Sequence, residues 1–89
     1  MGKRSYPPLT PAEVVAILEA LKFTFKRQVG SHAHYERQPD EGNNQRRIVT
    51  VDMAERDFGE RLIKSMIRQS GFDREQFYGA TKKAAKKAK

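Results

Sequence analysis

Eighty-nine residues suit one domain with a modest core, because a chain this short buries only part of its surface on folding. Hydrophobic residues make up 37% and charged residues 33%, and there is neither Trp nor Cys, which excludes disulfides, thiolate catalysis and cysteine-ligated zinc. The net charge is +7, and Lys82, Lys83, Lys86, Lys87 and Lys89 carry five of the positive charges, so the rest of the chain is only mildly basic.

A lysine cluster of this kind attracts phosphate backbones through counterion release, and acidic lipid or protein equally well. A solvated helix end that aids solubility is the plainer alternative. No run approaches the roughly 20 apolar residues of a membrane span. Met1 to Pro8 has basic residues but no apolar stretch behind them, so it does not read as a secretory signal. The expectation is a soluble cytoplasmic protein with no membrane partner and no cofactor.

Residues 1–9, with Pro7-Pro8, read as a flexible, irregular arm. Thr10-Pro11-Ala12-Glu13 is a helix start: Thr10 caps, Pro11 loses nothing at the first position, and Glu13 closes a capping box. Val14, Val15, Ile17, Leu18 and Leu21 recur at helical spacing and predict a helix over 11–22. Residues 23–29 alternate with period two, which puts Phe23, Phe25 and Val29 on one half-buried face. Arg27 shares that parity, so it either sits near the strand end or the alternation breaks there. Gly30-Ser31 signals a tight turn, and residues 32–38 form the next strand.

Residues 39–44 are a polar, turn-rich loop and the best candidate for a mobile hairpin tip. Arg46 to Val51, rich in β-branched residues, is a third strand. Residues 52–58 could be a loop, a helical turn capped by Asp52, or the run-in to the next helix. Leu62, Ile63, Met66 and Ile67 make the apolar stripe of a second helix over 60–70, which Gly71 ends. Asp73-Arg74-Glu75-Gln76 is another capping box and opens a short helix that docks Phe77. Residues 79–89 have no apolar stripe and are expected to fray as a basic tail.

This order is α-β-β-β-α, an α+β class. Short loops make the strands an antiparallel meander with both helices on one face, the topology of double-stranded-RNA-binding domains. Gly30 to Tyr35 concentrates the chemistry, because it holds both histidines, His32 and His34, behind the glycine-serine turn. Strict alternation puts the two imidazoles on one face, which allows an acid/base pair; His34 could equally be a structural residue facing the helices. Two histidines alone are an incomplete ligand set, so no metal site is expected. Asp52, Glu55 and Asp57 read as a capping and solvated acidic cluster, and Phe25 and Tyr35 as core.

Several pieces resemble the HicA (YcfA-like) toxins, small mRNA interferases of type II toxin–antitoxin pairs. They are Leu21-Lys22-Phe23, Arg27-Gln28-Val29-Gly30-Ser31-His32, Tyr35, Ile48-Val49-Thr50-Val51, and Ile63 through Gly71-Phe72, with Glu75-Gln76-Phe77 as a closing echo. The likeness runs from about Pro11 to Phe77 and implies a HicA-like domain over 10–78 between the arm and the 79–89 tail. It implies a dsRBD-like fold, cleavage of mRNA, a HicB-like antitoxin as partner, and catalysis by the histidine of the Gly-Ser-His run, His32 here. Two departures stand out. Many members carry Pro-x-His after the third strand, where this chain has Asp52-Met53-Ala54, and the usual glycine before the first strand is Lys22.

Cutting RNA without a metal requires the neighbouring 2′-OH to attack phosphorus while one group removes its proton and another protonates the departing 5′-oxygen. An imidazole does either at neutral pH. His32 is thus the candidate catalyst and His34 the secondary one. Gly30 and Ser31 can meet a phosphate with backbone N–H groups, and Lys26, Arg27, Arg46, Arg47, Lys82 and Lys83 are the candidate RNA-binding cations. The alternatives are a non-catalytic RNA-binding module and a protein that only binds an antitoxin-like partner.

Overall fold

The computed structural model describes residues 5–40 and 44–89. Residues 1–4 of the expected arm and residues 41–43 of the expected hairpin tip lie outside the described residues. The elements are α1 (Pro11–Ala20), β1 (Thr24–Val29), β2 (His32–Arg37), β3 (Arg47–Asp52), α2 (Glu60–Ser70), α3 (Arg74–Gly79) and α4 (Lys82–Ala88). The strands form one antiparallel sheet in the order β1-β2-β3, the meander expected from the short connections. Val14, Ile17 and Leu18 of α1 and Ile63, Met66 and Ile67 of α2 close one core with Ala33, Tyr35, Val49 and Val51 of the sheet. The other sheet face stays open.

Helix α1 begins as its sequence dictates. Glu13 N donates to Thr10 Oγ1 (3.2 Å) and Thr10 N to Glu13 Oε1 (2.9 Å), so two orphan donors are satisfied reciprocally. It ends two residues before the expected position, in a Schellman arrangement: Lys22 N donates to Glu19 O (3.0 Å) and Phe23 N to Leu18 O (2.8 Å). That geometry needs a left-handed residue, and Lys22 takes it with φ 77°. A lysine there carries a Cβ clash that glycine would not.

The β1–β2 hairpin closes with Val29 opposite His32 across the two-residue turn Gly30-Ser31. Gly30 has φ +59° and Ser31 is not left-handed, the pattern of a type II′ turn. One expectation fails here. Phe25 and Val29 are 55% and 61% exposed, not core, although Phe23 is buried and Tyr35 is core. The register shifts between Phe25 and Arg27, so Val29 falls on the open face, and Phe25, on an edge strand, is covered only edge-on by Tyr35 (5.7 Å between centroids).

The C-terminal residues also differ from expectation. Residues 82–88 do not fray but form α4. Thr81 Oγ1 accepts from Ala84 N (3.2 Å), Ala84 is buried, and Lys87 and Lys83 reach Glu13 of α1 (2.7 and 3.5 Å). Small alanines allow close approach and the ion pairs supply the register, so no apolar stripe is needed. Residues 5–9 are irregular yet anchored: Leu9 is buried and bridges Phe58, and Tyr78 Oη donates to Pro7 O (2.7 Å). Asp52 is the last residue of β3, and residues 53–58 are a loop that ends on that bridge. No helix among the described residues is long and apolar enough to cross a membrane.

Lys22→Gly should stabilise the fold by about 1 kcal/mol, read as a higher urea midpoint at unchanged slope. Glu13 gives a second expectation. Burial would raise its pKa, but Lys87, the Thr10 N–H and Lys83 outweigh that and hold the carboxyl down to about 2. A depressed carboxylate stabilises fully above its ordinary value near 4.5 and loses that contribution as pH falls toward about 2. Glu13→Gln should cost about 2 kcal/mol at pH 7 and flatten the stability loss across that acid window, measured by urea melts at stepped pH.

Candidate functional site

The β2–β3 ladder runs without a shift and pairs His32 with Asp52, Ala33 with Val51, His34 with Thr50 and Tyr35 with Val49. Ala33, Tyr35, Val49 and Val51 face the core, so the two histidines, Thr50 and Asp52 share the open face. Thr50 N donates outward to Gln69 Oε1 of α2 (3.1 Å). His34–Thr50 is therefore a non-hydrogen-bonded pair, and by the two-residue period so is His32–Asp52, the kind whose side chains lie closest.

Both pairs make contact. His34 Nδ1 lies 2.9 Å from Thr50 Oγ1. His32 Nε2 lies 3.8 Å from Asp52 Oδ2, and the imidazole is 57% exposed at the mouth of the strand. The carboxylate is itself held: the Ser31 hydroxyl donates to it and Ala54 N donates to Oδ1 (3.0 Å), which together keep it below the usual carboxylate range, with a smaller push from His32. Met53 N donates to Ser31 O (2.7 Å), so the segment after β3 is clamped to the hairpin turn.

A cleft of about 270 Å³ opens beside His32, between β3 and α2. Phe58, Leu62 and Met66 give it an apolar floor, and Asp52 and Glu55 an acidic rim. Farther along the open face, Glu36 lies between Lys26 (3.8 Å) and Arg46 (3.0 Å), and its side chain is only 12% exposed. Arg27 pairs with His34 across β1–β2 and is exposed.

The structure thus brings His32, His34, Gly30, Ser31, Arg27, Lys26 and Arg46 to one face. Arg47 is not among them. It shares the parity of Val49 and Val51, and its guanidinium packs on Gly71, where an added Cβ would meet Nε at 2.8 Å. Lys82 and Lys83 lie on α4 in the helical layer, with Lys83 turned to Glu13. His34, which could have faced the helices, lies on the open side instead.

Asp52 is the residue whose part at the site the sequence did not disclose. It does cap Ala54 N, as a capping residue would, but it also stands opposite His32. Matching Val49 and Val51 to Tyr35 and Ala33 as the buried row would have revealed the pairing.

A search of curated proteins finds no match. The family model described as HicA toxin of bacterial toxin-antitoxin matches residues 11–72, more than half of the chain. That span contains α1, the whole sheet and α2, and leaves α3 and α4 outside it.

Proposed function

The chain belongs to the HicA toxin family, and from that premise we propose that it is a metal-independent mRNA endonuclease with His32 as general acid/base. Family membership carries a toxin role within a toxin–antitoxin pair. The finer reading is a type II toxin, acting in the cytoplasm on mRNA and neutralised by a HicB-like antitoxin. What supports it most is the position of His32: exposed on the open face, beside a turn and a cleft.

The reaction needs one proton removed and one supplied. The 2′-oxygen bonds to phosphorus, the P–O5′ bond breaks, and the products are a 2′,3′-cyclic phosphate and a 5′-hydroxyl. An imidazole with an ordinary pKa near ~6.5 can take the 2′-proton or give one to the 5′-oxygen at neutral pH. His34 is the secondary candidate for the other transfer; its Nδ1 is engaged by Thr50, leaving Nε2. Same-face neighbours on a strand lie about 7 Å apart at Cα, close enough to flank one phosphodiester. Arg27, in the row of His34, places fixed positive charge near the phosphoryl oxygens. DNA has no 2′-OH and cannot follow this route.

His32→Ala should abolish RNA cleavage and growth arrest while the far-ultraviolet spectrum and melting stay near wild type; cleavage by the wild type should persist in EDTA. Retained cleavage by His32→Ala would sink this assignment. Glu36 neutralises two of the candidate RNA-binding cations. In the His32→Ala background, Glu36→Gln should tighten RNA binding several-fold at low salt. The slope of log K against log salt should steepen by about 0.7 to 1.4, one to two extra phosphate contacts on single-stranded RNA.

A further inference from the structure

We infer that Asp52 is the positioning residue of His32, holding the imidazole by its Nε2 edge and leaving Nδ1 to exchange the proton with RNA. This rests on the endonuclease reading above and assigns a role to a carboxylate at the end of β3.

Three observations carry it. The register sets Asp52 directly across from His32, in a close pair, with Nε2 and Oδ2 3.8 Å apart. The carboxylate is engaged on two sides, by Ser31 and Ala54 N, and the Met53 N to Ser31 O bond ties its segment to the turn that presents His32. At 3.8 Å the pair stands in ion-pair range, and closing to a hydrogen bond when RNA binds lets the carboxylate favour hydrogen on Nε2 and stabilise the imidazolium that forms when Nδ1 accepts a proton. The third is chemical surroundings. Glu55 lines the same cleft, Arg27 and His34 lie one cross-strand row along, and α2 contributes Leu62, Ser65, Met66 and Gln69, all uncharged. Asp52 is the carboxylate in paired contact with the ring.

The test combines RNA cleavage with ring-nitrogen NMR of the two histidines, which reads the tautomer, in Asp52→Asn, a variant that keeps shape and the Ala54 hydrogen bond. Cleavage should fall about 10- to 100-fold, less than the ~10⁴ of a buried dyad because water reaches this exposed ring. The His32 ring should lose its preference for hydrogen on Nε2, and the His34 ring should keep its tautomer. Glu55→Gln removes the same formal charge from the same cleft and should leave the His32 tautomer as it is.

An unchanged His32 tautomer in Asp52→Asn overturns the proposal, whatever happens to the rate. So does an unchanged rate, and so does an equal tautomer change from Glu55→Gln, which would mean a diffuse field in place of a held ring. Failure of the parent reading looks different: His32→Ala would then still cut RNA.

Discussion

A slip of one residue between β2 and β3 would turn both imidazoles into the core and Ala33 and Tyr35 out to solvent. The unbroken ladder between these strands therefore decides which face each site residue takes. It is enforced from both faces at once. Buried below are Val49 and Val51 against Tyr35 and Ala33. Above, the His34–Thr50 and His32–Asp52 contacts fit only this pairing. On the outer edge, Gln69 takes the Thr50 N–H that no strand pairs, so α2 is locked to the same register.

The helical layer solves a different problem, that of closing a small core with few large side chains. Glu13 serves two structures at once, as the far half of the α1 capping box and as the anchor for Lys87 and Lys83 of α4. Its side chain is nearly buried, at 9% exposed, and a buried carboxylate is tolerated only when its lone pairs are filled. Residues 5–9 then cross beneath α3 and α4, where Leu9 fills the core and Tyr78 holds Pro7. Segments outside the span matched by the family model thus add to the same core as those inside it.

Most of the architecture could be read from local chemistry. Thr10, Pro11 and Glu13 announce α1; Gly30-Ser31 announces the hairpin; Gly71 and the Asp73–Gln76 box mark the later boundaries. What could not be read depends on partners distant in the chain. Phe25 looks like core by period, but a bulge and an edge position expose it. The lysine-rich end looks unstructured because its stabilising contacts lie on Glu13, some seventy residues earlier. At the site, His32 was visible from its neighbours in sequence, whereas Asp52 takes its meaning from a strand across the ladder. Arg47 shows the converse: a cation beside Arg46 in sequence, yet on the other side of the sheet against Gly71.

The register shift in β1 has one more consequence. An exposed outer strand offers unsatisfied backbone donors and acceptors to any similar strand that drifts past, the usual first step toward fibrous self-association. Here the bulge beside Lys26 interrupts that row and twists it, and Lys26 and Arg27 set like charges in the path of a second copy. The irregularity that uncovers Phe25 therefore also opposes strand-to-strand zipping along that edge.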